Sequence, residues 1–236
     1  MITKQDIDKA SMYINGTNIA DYDALVESFK VGAIKQTNTT YQGLNRTNFN
    51  VLTSQMAMRQ ISVNIFYKAP TRRELALIKS KIDAALSGKL DLWLPDGFYY
   101  FAALTSAGEE QIIGVEYNEE IALCSYTFEG IRHDPLKTIE VASGDPLYCK
   151  SLVPHTDCRL TCTASQAYES LQIGPVTITD VAKDDVLVVD GITGRILQNG
   201  ALCAGNMSFL HFPSLVPGEN TITCPEDLTV EYYPTY

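Results

Sequence analysis

Apolar and polar residues alternate along much of this chain, in short segments separated by turns. The clearest alternation covers 61–67, where every second residue is apolar, the pattern of a β-strand with one buried face. Residues 90–94 and 98–101 repeat it on either side of a Pro-Asp-Gly turn, and 112–117 and 121–128 repeat it around a polar turn. The first half of the chain is therefore predicted to be an antiparallel β-domain.

One segment, 71–87, has helical spacing instead. Its apolar positions recur every three or four residues: Leu75, Ile78, Ile82 and Ala85 or Leu86. Thr71 and Glu74 form a capping-box pattern, in which the Thr71 hydroxyl accepts the Glu74 amide proton while the Glu74 carboxylate reaches back. Gly88 is suited to end the helix. We therefore predict a single long helix packed between strands.

The second half contains short apolar segments about ten residues apart and no helical stripe. These segments are 159–163, 176–179, 186–189, 195–197, 207–212, 221–224 and 228–232. Such spacing is typical of a β-sandwich or jelly roll. Asp134-Pro135 disfavours continuation of a helix or a central strand. The prediction is a mainly β protein with domains at 1–134 and 135–236.

Composition favours a folded protein of two domains. The chain has 236 residues, of which 45% are hydrophobic and 19% charged, and its mean hydropathy is -0.04. No segment approaches the length of a membrane span, and the N-terminal residues lack a basic region followed by an apolar run. We expect no membrane insertion and synthesis in the cytoplasm.

The net charge of -10 lies mainly in the second half: 1–134 has 13 basic and 16 acidic residues, and 135–236 has 5 and 12. A chain without a basic cluster lacks the cations that displace counterions from nucleic acid, so direct nucleic-acid binding is not expected. Six cysteines are too few for a disulfide scaffold in a chain of this length and are predicted to be small buried thiols. They are Cys124, Cys149, Cys158, Cys162, Cys203 and Cys224.

No motif in the chain predicts catalysis, a cofactor or a metal. The histidines His133, His155 and His211 lie far apart and are expected on the surface or at interfaces. His155 with Cys158 and Cys162 resembles a zinc half-site, but i and i+4 on one strand are about 13 Å apart, too far to share an ion.

Acidic pairs are predicted to be solvated loop charges; they are Glu109-Glu110, Glu119-Glu120 and Asp184-Asp185. The chain contains neither a nucleophile elbow nor a phosphate-binding glycine loop. We therefore expect a non-enzymatic protein with no catalytic, cofactor-binding or metal-binding residues and no cofactor. The thirteen tyrosines are compatible with packing inside sheets, with subunit contacts or with stacking on sugars.

Residues 174–236 contain the most specific pattern in the chain. In order, 174–178, 184–190, 194–200 and 212–222 resemble the galectin-like second domain of phage distal tail proteins, although Asp184-Asp185 stands where that family has a Gly-Asp turn. Within the last segment, Pro217 sets its own φ, Gly218 permits a positive φ and Asn220 can bond its own turn, so a strand is expected from Thr221.

The resemblance implies a structural role in a phage or prophage tail tip. Domain 1–134 would form a ring, expected to be a homo-hexamer, that joins the tail tube to the baseplate, and 135–236 would be a galectin-like β-sandwich. Implied partners are further copies of this chain, the tail tube protein and tail-tip or tail-fibre proteins. The implied location is the virion tail tip, after synthesis in the bacterial host cytoplasm. The loop 38–50, rich in Thr, Asn and Gly, is the candidate extended arm.

An alternative function is a carbohydrate-binding adaptor whose second domain binds glycans of the host surface. Galectin-type sugar sites need a stacking aromatic residue beside a cluster of His, Asn and Arg side chains. Here the single tryptophan, Trp93, lies in the first half, and Arg195, Asn206 and His211 are loosely spaced in the second.

Overall fold

The computed structural model describes residues 11–42, 49–116, 118–203 and 205–236. The chain divides into two compact units, Met1–Arg132 and His133–Tyr236, which we call unit 1 and unit 2. The described residues are mostly β-strands and contain one α-helix, so the predicted fold class is confirmed.

Unit 1 is built around one large antiparallel sheet. The described strands of unit 1 are β1 (Tyr13–Ile14), β2 (Thr17–Asn18), β3 (Ala24–Val31), β4 (Lys35–Gln42), β5 (Phe49–Ala57), β6 (Arg59–Ala69), β7 (Lys89–Trp93), β8 (Tyr99–Ala107), β9 (Gln111–Glu116) and β10 (Glu119–His133). The order in the large sheet is β2-β1-β7-β8-β10-β6-β3, with β9 also paired to β10. β4 and β5 pair separately with each other.

The helix α1 (Arg72–Ala85) begins where the capping pattern predicts. Thr71 Oγ1 accepts the Glu74 amide proton at 3.3 Å and donates to the Glu74 carboxylate at 3.0 Å. The apolar stripe faces the sheet, because its residues Leu75, Ile78 and Ile82 are buried. Leu86 is the C-cap residue, and Gly88 follows with a φ of +80°. Local sequence therefore specified both ends of this helix.

The core of unit 1 follows the alternation seen in the sequence. Ile61, Val63 and Ile65 on β6 are fully buried. Antiparallel pairing places Val63 opposite Tyr126 and Ile65 opposite Cys124 on β10, and both partners are also buried. The predicted buried face of this strand is confirmed.

Unit 2 has one larger and two smaller sheets. Its strands are β11 (Lys137–Val141), β12 (Pro146–Cys149), β13 (Thr156–Thr163), β14 (Tyr168–Ile173), β15 (Val176–Val181), β16 (Val186–Asp190), β17 (Arg195–Gln198), β18 (Ala201–Leu202), β19 (Met207–Phe209), β20 (Ser214–Leu215), β21 (Gly218–Thr221) and β22 (Leu228–Tyr232). The larger sheet has the order β11-β22-β13-β16-β17-β18, with β20 paired to β13, and the others are β14-β15-β19 and β12-β21.

A single hydrophobic cluster joins the sheets of unit 2. Leu160 and Val230 come from the larger sheet, Leu171 and Ile178 from the three-stranded sheet, and Leu147 from β12. All five side chains are buried. Sheets that share one core in this way have the layered construction of a β-sandwich.

Two expectations about strand positions need correction. The strand predicted at 221–224 is wrong, because β21 already ends at Thr221; its partner β12, which the sequence did not predict, sets the register. The candidate arm 38–50 is not a simple loop, since its ends belong to the paired strands β4 and β5. Its middle part, 43–48, lies outside the described residues.

Candidate functional site

The histidines do not come together, and one of them is buried. The expectation of a surface or interface position is wrong for His133, which is 1% exposed. Its Nδ1 lies 2.8 Å from the Asp134 carbonyl oxygen, and its ring meets the edge of the Tyr233 ring at 5.2 Å. His211 is exposed, with Nδ1 2.9 Å from the Phe212 carbonyl oxygen. In both histidines, Nδ1 is hydrogen-bonded to the carbonyl oxygen of the following residue.

The cysteines are buried thiols, as predicted for all six. Cys158 and Cys162 share the buried face of β13, and burial raises the pKa of the Cys158 thiol to about 12. Within the described ranges, no group of three or more His, Cys, Asp and Glu side chains is placed to hold a metal ion. No helix in those ranges is long and apolar enough to cross a membrane.

The pair Asp184-Asp185 is only partly a pair of solvated charges. Asp184 is exposed, but the expectation is wrong for Asp185, which is buried. Its carboxylate accepts hydrogen bonds from Asn199 and Gln198, each at 2.7 Å, and these bonds lower the pKa of Asp185. Asp185 therefore ties a turn to the neighbouring hairpin.

A three-residue ionic cluster crosses the larger sheet of unit 2. On β13, Arg159 lies opposite Asp190 of β16 on one side and Glu231 of β22 on the other. Arg159 Nη2 is 2.9 Å from Asp190 Oδ2, and Nη1 is 3.2 Å from Glu231 Oε2. Burial alone would raise the pKa of Asp190, but hydrogen bonds from Thr193 and Arg159 lower it.

The same carboxylate shapes the loop after β16. Asp190 Oδ1 accepts the amide protons of Ile192 and Thr193 at 2.9 and 3.1 Å. A Cβ on Gly191 would lie 2.5 Å from the carbonyl oxygen of Pro213, so this position has no room for a side chain. The charged groups of the ionic cluster bond to one another and to the backbone of this loop. The cluster is therefore part of the scaffold.

Many tyrosine hydroxyls donate to carboxylates within their own unit. These pairs are Tyr67 with Glu110 (2.6 Å), Tyr100 with Asp96 (2.5 Å), Tyr126 with Asp83 (2.9 Å), Tyr168 with Glu226 (2.5 Å) and Tyr236 with Asp134 (2.6 Å). The hydrogen bond to Asp134 and burial raise the pKa of Tyr236 to about 12. For these tyrosines, packing within sheets is the better of the three interpretations.

The residues considered for sugar binding lie on separate parts of the fold. Trp93 is in unit 1, where its ring meets Tyr13 edge to face at 5.5 Å. Arg195 begins β17 in the larger sheet, whereas the Asn206 carbonyl oxygen accepts from Thr179 on the three-stranded sheet. Among the described residues, no hydrogen bond connects Arg195, Asn206 and His211.

In the loop of the resemblance motif, Gly218 and Asn220 have the conformation and contacts that the sequence predicts, although β21 begins at Gly218 and not at Thr221. Asn220 Oδ1 accepts the Val216 amide proton at 2.8 Å, and Asn220 Nδ2 donates to the carbonyl oxygens of Val216 and Gly218. Gly218 has a φ of +92°, a conformation that favours glycine. These contacts close the turn between β20 and β21.

Among the strands of unit 1 whose side chains are described, β9 exposes the most apolar surface. Ile113 and Val115 are 57% and 69% exposed, and Ile112 is 41% exposed. Among the described strands, β9 pairs only with β10, so its other edge is open. We call this strand and its exposed side chains the β9 surface. Open apolar strand edges are suited to pairing with another chain.

A groove lies on unit 1 between α1 and the end of the large sheet that is formed by β3. Its volume is about 610 Å³. The lining residues are Ala20, Asp23, Ala24, Leu25, Phe66, Lys68, Ala69, Pro70, Glu74, Leu77, Ile78, Lys81 and Glu119. It runs beside β3, the last strand in the order of the large sheet. We call it the α1 groove.

Neither surface was identified from the sequence, although β9 contained a signal. The adjacent pair Ile112-Ile113 breaks strict alternation in this short strand. Such a pattern indicates either a strand buried on both faces or an open apolar surface, and only the tertiary structure distinguishes them.

Solved structures share this fold over nearly the whole chain. The SPP1 Dit (gp 19.1) protein, described as a paradigm of the hub adsorption apparatus in phages that infect Gram-positive bacteria, is 12% identical. The match covers 96% of this chain and 98% of that one, with a TM-score of 0.71.

Chains from two structures of a phage baseplate in its activated conformation are also similar. The phage P2 structure with Ca covers 96% of this chain and 98% of its own, at 10% identity and a TM-score of 0.57. The phage p2 structure with Sr covers 95% and 97%, at 9% identity and a TM-score of 0.56. No protein-family model and no curated protein matches the chain in sequence. In fold, the resemblance to phage distal tail proteins is confirmed.

Proposed function

We propose that this chain, which has the fold of SPP1 Dit, is a structural subunit of the tail tip of a phage or prophage. The observation that carries the proposal is the extent of the match, which covers 96% of this chain and 98% of SPP1 Dit with both units included. A likeness in one β-sandwich alone would be weak support, because that architecture hosts many functions. A match that includes both units in the same order is a more specific indication of a shared role.

The proposed subunit assembles into a closed ring, expected to contain six copies, that joins the tail tube to the baseplate. A closed cyclic ring needs two different complementary surfaces on each subunit. Unit 1 offers two candidates, the β9 surface and the α1 groove, which adjoin where Glu119 lines the groove and pairs with β9. The β9 surface supplies an open strand edge with apolar side chains, and the α1 groove supplies a concavity beside β3.

The role is proposed to be mechanical rather than catalytic. The ionic cluster of unit 2 and the tyrosine–carboxylate pairs have their donors and acceptors occupied by each other, which stabilises the scaffold. In this proposal unit 1 forms the ring, and unit 2, as a galectin-like sandwich, contacts tail-tip or tail-fibre proteins. Exposed apolar side chains on unit 2, among them Leu210 at 94% exposure, are available for such contacts.

The first experiment measures the solution mass of the purified chain by light scattering behind a sizing column, across a concentration series. A species near six times 26.1 kDa supports the hexameric ring. A different closed number of copies corrects the ring size. A chain that stays monomeric at every concentration, alone and with the tail tube protein added, contradicts the ring.

A pair of variants tests the β9 surface. Ile113→Lys replaces an exposed apolar side chain with a charge and is expected to weaken association at least tenfold. Gln111→Lys is the matched control, because it adds the same charge to an exposed position of the same strand without removing apolar area. Equal masses for the two variants at every concentration would show that β9 is not part of the interface.

A further inference from the structure

Two arginines, Arg59 and Arg132, lie at the ends of the buried faces of two neighbouring strands in unit 1. On β6, Arg59 lies on the same face as the buried Ile61, two residues before it. On β10, Arg132 lies on the face that contains the buried Phe128. The strands are antiparallel and Arg59 is opposite Gly130, so the two arginines are diagonal neighbours at one end of the sheet. Between them, Gly130 contributes no side chain.

Both guanidinium groups are positioned by contacts that leave donors unused. Arg132 lies over the ring of Phe98, with Cζ 4.1 Å from the ring centroid. Arg59 Nη1 donates to the Gly32 carbonyl oxygen at 3.4 Å. The Nε atoms of both arginines are buried and have no hydrogen-bond partner among the described residues. A buried donor without an acceptor is costly, and native structures rarely keep one without a reason.

The two positive charges have no carboxylate partner in the described part of the chain. Burial and the charge of Arg132 lower the pKa of Arg59. The carboxylate of Asp96 lies on this side of the unit, but its oxygens accept the Tyr100 hydroxyl at 2.5 Å and the Phe98 amide at 3.1 Å. No ion pair among the described residues joins Asp96 to either arginine, whereas an exposed arginine elsewhere, Arg72, is paired with Glu120.

We propose that Arg59 and Arg132 form a binding site for an oxyanion, which is the carboxylate or phosphate group of a ligand. Guanidinium groups bind both groups through paired N–H donors. An oxyanion bound by the two guanidinium groups would offset the repulsion between these neighbouring cations. The site belongs to unit 1 by itself, so binding of a free anion does not depend on ring formation.

A simpler structural role makes a different prediction. Arginine stems often cover the open end of a hydrophobic core while the charged heads stay in water. In that case phosphate would affect unit 1 no more than chloride at the same ionic strength. A larger effect of phosphate than of chloride therefore distinguishes an anion-binding site from this covering role.

The test is thermal unfolding of the full chain followed by tryptophan fluorescence. Trp93 is the only tryptophan and lies in unit 1, so its emission reports the unit that holds the site. Sodium phosphate is titrated against sodium chloride at constant ionic strength. The Tm of unit 1 is expected to rise by about 3 to 5 °C when phosphate reaches ten times its Kd. No rise over the chloride series would overturn the proposal.

Variants assign the effect to the two arginines. Arg59→Gln and Arg132→Gln are each expected to abolish the phosphate-dependent rise, which is measured from each variant's own Tm without phosphate because both arginines also make packing or hydrogen-bond contacts. Arg59→Lys keeps the charge and should retain part of the rise. Arg72→Gln, at an exposed arginine, should retain all of it. An undiminished rise in both glutamine variants would place the anion elsewhere and refute the site.

A second measurement identifies the natural source of the oxyanion. If a carboxylate of a second copy of this chain occupies the site, phosphate competes with it and lowers the mass measured by light scattering. If a free anion occupies it, the mass is unchanged by phosphate. A chain that remains monomeric but shows the phosphate-dependent rise would refute the ring and support the site, so the two proposals fail separately.

Discussion

The substitution Asp190→Asn tests whether the ionic cluster of unit 2 stabilises the fold. Asp190 is buried, and its Oδ2 accepts from Arg159 Nε at 3.0 Å and from the Thr193 hydroxyl at 2.7 Å. An asparagine can keep the loop contacts of Oδ1 through its own oxygen. Its amide nitrogen would then face the N–H donors of Arg159, so the charge-assisted hydrogen bond between the two residues is lost. The Arg159 guanidinium would keep Glu231 as its ion-pair partner in the cluster.

The expected cost follows from the exposure of the two partners. A hydrogen bond to a charged group contributes about 1.5 to 3 kcal/mol. Water screens part of this interaction, because the Arg159 side chain is 36% exposed. We therefore expect a loss near the lower end, about 1.5 to 2 kcal/mol. For a unit of about 100 residues, this corresponds to a fall in Tm of about 7 to 10 °C.

Acid should produce the same effect in the unmodified chain. The folded-state pKa of Asp190 is lower than usual, so its stabilisation is present at neutral pH and is lost as the pH falls below about 4 and through the folded pKa. The carboxyl groups of Asp185 and Glu226 also have lowered pKa values and add to this loss. Asp190→Asn should show a weaker dependence on pH in the same range.

The assay is differential scanning calorimetry of the full chain, with fluorescence of Trp93 used to identify the transition of unit 1. Asp184→Asn is the matched control, because Asp184 is exposed and its φ of +68° suits asparagine. The control is expected to change stability by no more than about 0.5 kcal/mol. If both variants shift the transition of unit 2 equally, the ionic cluster contributes nothing beyond loss of one surface charge, and the reasoning fails.

Three further substitutions probe single contacts. Gly191→Ala places a Cβ 2.5 Å from the Pro213 carbonyl oxygen and should lower the calorimetric Tm of unit 2; an unchanged Tm would refute the close approach. Thr71→Ala removes the N-cap of α1 and should cost unit 1 about 1 kcal/mol in urea unfolding followed by tryptophan fluorescence. Tyr126→Phe leaves Asp83 without the hydroxyl donor and should cost about 1 kcal/mol in the same assay, whereas no change would show that water replaces the bond.

The elements predicted most accurately are those with strong local signals. The helix α1 was found with its N-cap, because Thr71 and Glu74 are close in sequence and their interaction is local. The strand β6 was found with its buried face, because alternation over several residues indicates which side is covered. The turn around Asn220 was also predicted, since its partners lie within four residues.

Two of the missed strands, β11 and β12, lack such signals. β11 and β12 are short, and their position depends on the strands that they pair with, β22 and β21, which lie far away in sequence. Short strands of this kind are decided by cross-strand contacts rather than by intrinsic preference. The same reason explains the wrong placement of the strand predicted at 221–224.

Buried polar residues were the main error at the level of individual side chains. Asp185 was expected to be solvated because it stands beside another acidic residue in a turn. The structure brings Gln198 and Asn199 to its carboxylate from the following hairpin. Sequence shows which residues are charged, but it does not show which distant donors will surround them.

By itself, the sequence determined that this protein is mainly β, has one long helix and buries its cysteines, because periodicity and capping act over a few residues. Tertiary structure decided which surfaces stay open. The apolar strand β9 is exposed because only β10 pairs with it among the described strands. Arg59 and Arg132 are neighbours because antiparallel register brings the ends of two distant strands together. Both features depend on strand partners, which local sequence does not specify.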